Sequence, residues 1–270
     1  NCPLHPKYHT LPVPVPKLQE LGARAFMNPD ETRKRVDLLH SYLADERARI
    51  ENLRIVGVTK EETPEVYDPF MEYTTKAYAS VKSPLELSFI PIHPGDILSY
   101  GGYHFEVKLL RGHTFGQCGL YEPEKKLMFV GDQLMTTIVP IVGTQETDLG
   151  MLKCYLNSLG DLKHNYKDCY FLPCHYGEIK NVEKEVNRII LGYLEKCEIM
   201  KHVLEEAGTA LTTRDIGVRT YGRSQGPPDY AHFASCTQIW AKTFSCMEYM
   251  MGEGFVERSE RDGILYWKAI

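Results

Sequence analysis

The sequence predicts an α+β chain, and three observations predict it. Text of helical period runs from Val15 to about Val81. Short β-like runs separated by turn residues begin at Leu85, and three helices followed by a strand pair close the chain. With 270 residues, 43% hydrophobic and 25% charged, the chain can bury one large core, or one medium core plus an appendage. Thirty-one Lys and Arg against 36 Asp and Glu give a formal charge of −5, which offers no electrostatic footprint for nucleic acid or anionic lipid. No apolar run approaches the roughly 18 residues of a membrane span, and the Pro-rich opening lacks the order of a secretory signal. A cytoplasmic location and no membrane partner are therefore expected.

The first helical text is LQELGARAF, then ETRKRVDLLHSYLADERARIENL, then a segment around Glu65 to Tyr78. Leu38, Leu39, Tyr42 and Leu43 recur at near-helical spacing as core contacts, and Asp30 followed by Glu31 and Thr32 marks a helix start. The β-like runs LSFIPI, DILSY, YHFEVKLL, GLYEP and KLMFVGD are parted by Pro-Gly, Gly-Gly and Glu-Pro-Glu turn signals. A helix is expected at about Leu149 to Leu162, a buried strand in YFLPCHYG, and a long amphipathic helix from Val182 to Ala207. The eight Cys contain no C-x-x-C pair and are expected mostly as buried thiols, Cys118 as an inward strand position and Cys174 as a small buried side chain in preference to a ligand or reactive thiol. The chain opens at Asn1 with Pro at 3, 6, 12, 14 and 16, a start expected where upstream sequence has been removed or where the chain is one piece of something longer.

After Ala207 comes a smaller module. Thr212 and Thr213 cap a short helix, Ser235 to Met251 forms another, and FVERSE and ILYWKA are strands joined through Arg261-Asp262-Gly263. Three helices and a hairpin read as a winged helix. Residues 207–270 nevertheless carry seven Lys/Arg against seven Asp/Glu, and the would-be recognition helix is largely apolar, so a packing face is expected there and no nucleic-acid partner. Tyr221, Tyr230, Phe233 and Trp240, with His232, either line a substrate pocket or form the module core.

Three polar residues sit where strands should end. His113 lies in Leu110-Arg111-Gly112-His113-Thr114, Asp132 follows the apolar run LMFVG, and His175 follows Leu172-Pro173-Cys174. Each alone reads as a hydrogen-bonded loop residue, as His93 and His104 do. Two imidazoles and a carboxylate released by strands into Gly-containing loops can converge on a divalent ion, which lowers the pKa of water and stabilises an oxyanion. That combination suits hydrolysis of a small-molecule substrate.

The stretch IHPGDILSYGGYHFEVKLLRGHTFGQCGLYEPEKKLMFVGDQLM resembles the metallo-β-lactamase superfamily, whose members carry a GHT-x-G loop, two strands and a G-D. LPCHYGEI falls where that family has PGHG. The resemblance covers most of residues 15–270 and extends to the branch with a C-terminal winged helix. It implies an αββα sandwich over residues 1–180, a long helix plus winged-helix module over 181–270, and a metal-dependent hydrolase with His113, Asp132 and His175 as ligands. Asp132 would be the residue shared by metal and chemistry.

The departures are as informative. The family signature H-x-H-x-D-H falls on Pro3-Leu4-His5-Pro6-Lys7-Tyr8, where only His5 keeps its type, with His9 adjacent. By resemblance the first metal position retains His5, His113 and Asp132, and the second only Asp132 and His175. Three protein ligands can hold a catalytic zinc or iron, whereas two are too few. One ion at most is therefore expected per chain, with Lys7 placing a cation where a second would sit. The strands that open the family fold have no room here, so a second copy or companion chain, or an upstream segment, is expected to complete the sheet. Two functional readings remain. One is a hydrolase of an ester, thioester, lactone or phosphoester with a reduced metal site. The other is a non-catalytic subunit or scaffold whose site has decayed.

Overall fold

The computed structural model describes residues 46–79, 92–114, 116–142, 148–222 and 230–270. The helical text expected over residues 15–45, with its Leu38 to Leu43 stripe, lies outside them, as does all of LSFIPI except Ile92. The first described elements are two helices, α1 (Glu46–Ile55) and α2 (Pro64–Ala79). Pro64 occupies the first helical position, where a missing N–H costs nothing. Leu53, Phe70 and Met71 of this pair, with Val56 in the turn after α1, close over Trp240.

A five-stranded sheet follows in the order β1 (Ile97–Tyr100), β2 (Tyr103–Leu109), β3 (Cys118–Glu122), β4 (Leu127–Gly131) and β5 (Tyr170–Pro173). The first four strands run antiparallel, β1–β2 and β3–β4 through short turns and β2–β3 through the longer loop that carries His113, while β5 lies parallel to β4. A parallel neighbour needs a crossover, and α3 (Met151–Asn165) provides it. The side-chain period of two divides the apolar residues cleanly. Phe105, Val107, Cys118, Leu120 and Phe129 share one face. Met128, Val130 and Phe171 face the other, against the helices.

Helix α3 buries Met151, Leu152, Tyr155, Leu159 and Leu162. Its neighbour α4 (Val182–Ala207) has 26 residues, about 39 Å at helical rise, with Val182, Val186, Ile189, Tyr193, Cys197, Met200 and Leu204 on one stripe. Asn181 caps it by accepting from the Lys184 N–H, and Gly208 closes it in the left-handed conformation. These signals explain why its ends coincide with those read from the sequence.

The remaining elements are β6 (Leu211–Thr212), α5 (Thr213–Tyr221), α6 (Tyr230–Gly252), β7 (Val256–Arg261) and β8 (Ile264–Ala269). The last two form the expected hairpin, with Asp262 and Gly263 at positive φ as a two-residue turn requires. Strand β6 pairs with β8 to give a sheet of order β6-β8-β7. Helix α6 begins five residues before the expected Ser235. Trp267 on β8 is fully buried, packs edge-on to Phe244 and donates its indole N–H to Thr213 Oγ1 at 3.0 Å. Trp240 is likewise buried among apolar side chains, which makes it core and not pocket lining. The side chains of Tyr230, His232 and Phe233 lie outside the described residues. One apolar cluster runs from Leu110 to Trp267 across the expected boundary at residues 180–181.

A buried carboxylate joins α6 to the segment entering α3. Glu248 accepts from the Asp148 backbone N–H and has Arg258 Nη1 at 3.9 Å, while Arg258 Nη2 reaches Asp148 at 3.1 Å. Burial is the main cause pushing the Glu248 carboxyl above its ordinary value of 4.5. The folded chain therefore holds this proton at pH values where the unfolded chain has lost it. This contribution to stability is complete below pH 4.5 and is lost as pH rises through the folded pKa. Urea unfolding at a series of pH values is expected to show that decline in the native chain and a flatter profile in Glu248→Gln. Parallel profiles would contradict it.

Candidate metal centre

The loop leaving β2 is shaped by contact with α3. Gly112 has a φ of +152°, and a Cβ there would lie 2.2 Å from Tyr155 Cδ2 and 2.7 Å from Tyr155 Cα. The helix packs directly on this backbone, so no side chain fits. The fully buried Gln133 pins the loop from below. Its Nε2 donates to Arg111 O at 3.1 Å and lies 2.9 Å from Ser158 Oγ, and its Oε1 accepts from the His113 N–H at 3.4 Å. Its own carbonyl accepts from Tyr155 OH at 2.8 Å. Gly112→Ala is expected to cost at least about 2 kcal/mol through backbone strain and this clash. Chemical denaturation would measure it, and the His113 region should lose amide-exchange protection first.

Asp132 and His175 emerge from adjacent parallel strands at their carboxyl ends, the end of an open α/β-type sheet where reactive groups collect. Gly131, with φ of +58°, turns the chain after β4, and the Cys174 N–H donates back to Gly131 O at 3.1 Å. These two devices aim Asp132 between the histidines. His113 Nε2 lies 3.7 Å from Asp132 Oδ2, and His175 Nε2 lies 3.5 Å from Asp132 Oδ1. All three side chains are about one-third exposed.

The hydrogen bonds fix what these gaps are for. His113 Nδ1 is 2.6 Å from Ile141 O, a carbonyl that can only accept, so Nδ1 carries the hydrogen. In the neutral ring the bare Nε2 lone pair then points at a carboxylate oxygen. Two acceptors facing each other repel unless a proton or a metal cation lies between them. Asp132 Oδ1 is buried and, among the described residues, has no hydrogen-bond donor. The separations exceed a hydrogen bond but match the distance of about 3.4 Å between two ligands each about 2.1 Å from a tetrahedral ion. The chemistry of this donor set fits a divalent metal.

The donor set is incomplete among the described residues. His5, with Lys7 and His9, lies outside them, and no group of three or more His, Cys, Asp or Glu that could hold a metal occurs among them. The two imidazoles address opposite oxygens of Asp132, so each side holds one His and one carboxylate oxygen. Cys174, expected as a buried thiol, is instead exposed, because the chain turns outward after Pro173. Cys118 is buried as expected. Sequence reading missed Gln133, Tyr155 and the Ile141 carbonyl. Only the position of Gln133 directly after Asp132 hints at a role.

No protein-family model matches the sequence, and neither does any curated protein. Solved structures do match. A metallo-beta-lactamase family protein from Thermus thermophilus superposes over 94% of this chain with a TM-score of 0.67 at 20% identity. The chain has the metallo-β-lactamase fold. A beta-lactamase domain protein from Burkholderia ambifaria gives a TM-score of 0.59 over 73% of the chain at 18% identity. The chain spans 74% of the first of these proteins and 56% of the second. Among the described residues, no helix of this metallo-β-lactamase-fold chain is long and apolar enough to cross a membrane.

Proposed function

We propose that this chain is a metal-dependent hydrolase acting on an ester, thioester, lactone or phosphoester, with one zinc or iron ion. The observation that carries this reading is the pair of imidazoles whose Nε2 atoms face the two oxygens of Asp132. His113 and Asp132 would hold the ion, joined by His5 from outside the described residues. When bound, the ion supplies hydroxide near neutral pH and charge to stabilise an oxyanion. Asp132 Oδ1, which lacks a donor among the described residues, orients water, and His175 binds a substrate oxygen. In this reading residues 1–180 carry the chemistry, and the long helix plus a winged-helix module over 181–270 supports it. The chain is proposed to act in the cytoplasm. The second reading, a non-catalytic scaffold, is favoured by the single imidazole on each side of Asp132 among the described residues. A second copy or companion chain is proposed to pair with β1, one of the two outer strands of the described sheet, whose Ile97 is 59% exposed.

Elemental analysis of purified protein tests the choice. About one equivalent of zinc or iron, lost in His113→Ala together with hydrolysis of a panel of activated esters, thioesters, lactones and phosphodiesters, is the expected result. Less than about a tenth of an equivalent after reconstitution would favour the scaffold.

A further inference from the structure

Between Asp132 and Val142 the chain runs without regular secondary structure, and α4 and α6 hold it in place. Arg188 Nη2 donates to Met135 O at 2.7 Å and to Ile138 O at 3.2 Å. Tyr193 OH donates to Pro140 O at 2.6 Å and accepts from the Val142 N–H at 2.8 Å. One hydroxyl thus ties together the residues on either side of Ile141. With both flanks bound to α4, the Ile141 carbonyl is left to the opposite side, where it meets His113 Nδ1 at 2.6 Å. From α6, Ser245 Oγ reaches Val142 O at 2.7 Å, with Ala241 O its longer alternative at 3.0 Å. Tyr193 and Ser245 are both buried, and the Tyr193 ring is wedged edge-on against Tyr155, the residue packed under Gly112.

We infer that Tyr193 and Ser245 are positioning residues for His113. They fix the Ile141 carbonyl, the carbonyl fixes the hydrogen on Nδ1, and the bare Nε2 is thereby presented to Asp132. The helices of the C-terminal region thus choose the tautomer of a histidine in the sheet region, although neither side chain is placed at the metal centre itself. Outer hydrogen-bond partners of metal-binding imidazoles act in this way, and their loss weakens metal affinity about 10–100-fold. The consequence for metal affinity rests on the hydrolase reading; the consequence for the tautomer does not.

Long-range proton–nitrogen NMR of metal-free, nitrogen-15-labelled protein at about pH 8, where histidine is ordinarily neutral, reads the tautomer directly. The native chain should show His113 with hydrogen on Nδ1. Tyr193→Phe and Ser245→Ala should each move a measurable fraction to Nε2, and the double variant more. Zinc titration of the same samples should show binding weakened about tenfold or more. Met200→Ala provides the control. It removes a fully buried side chain from α4 that has no bond to the 135–142 segment, so it should lower stability without altering the tautomer. An unchanged tautomer in Tyr193→Phe and Ser245→Ala, or an equal change in Met200→Ala, overturns the inference. If the native chain binds no zinc, the hydrolase reading fails while the tautomer measurement still decides this one.

Discussion

Asp132→Asn is expected to lower hydrolysis by about 10³-fold or more, because the charge stabilisation an ion supplies amounts to several kcal/mol at about 1.36 kcal/mol per decade. The substitution is isosteric, so the packing of β4 against α3 should persist. What changes is the charge. A neutral amide presents one oxygen and one N–H₂, so one of the two histidines meets a hydrogen donor in place of an anionic oxygen. On that side no cation is needed, and on the other the attraction for one is much reduced. The variant should therefore purify with metal content well below native, and chelator-treated native protein should reproduce its rate. Metal analysis and ester hydrolysis read the two effects, and thermal denaturation checks that folding is kept. A variant with native metal content would remove Asp132 from the centre.

Trp267→Ala is expected to cost about 4 kcal/mol, the range for a fully buried aromatic reduced to a methyl group. Several losses combine here. The indole leaves a cavity against Phe244, Thr213 Oγ1 loses its donor, and Arg258 loses the ring face 6.0 Å from its guanidinium carbon. Trp267→Phe should recover part of the packing but not the hydrogen bond to Thr213. Urea denaturation of the three proteins would separate the terms. Equal stability of the Phe and native forms would show that the indole N–H contributes little.

The reach of the sequence can be judged element by element. Helix α4 was legible at both ends because Asn181 and Gly208 are local signals that act on neighbouring backbone groups. The β7–β8 turn was legible because Asp262 and Gly263 tolerate positive φ. Strand β6 was not, since two residues carry no period and its existence depends on pairing with Trp267 and Tyr266 far along the chain. The same division holds at the centre. His113, Asp132 and His175 were visible because each leaves a strand beside a turn signal. Tyr193 sat unremarked on the apolar stripe of α4, and Ser245 looked like any small residue in a helix. Their partners are backbone groups 51 to 103 positions away, which no local pattern records. Cys174 was misjudged because a small apolar side chain after a buried strand reads as inward until the turn beyond Pro173 is seen.

The two ends of the described chain meet. The Arg214 N–H donates to Val56 O, Arg54 reaches Asp262 O across 208 positions, and Trp240 is roofed by α1 and α2. On the ribosome, the roof is made before Trp240 and the β7–β8 turn and must wait for them before it has anything to cover. Until then its apolar underside and the loop bearing His113 are exposed to chaperones and proteases, and non-local closure of this kind is slow. A stalled or prematurely terminated product would therefore emerge with an unformed centre, even though the three side chains that define it were translated long before the break.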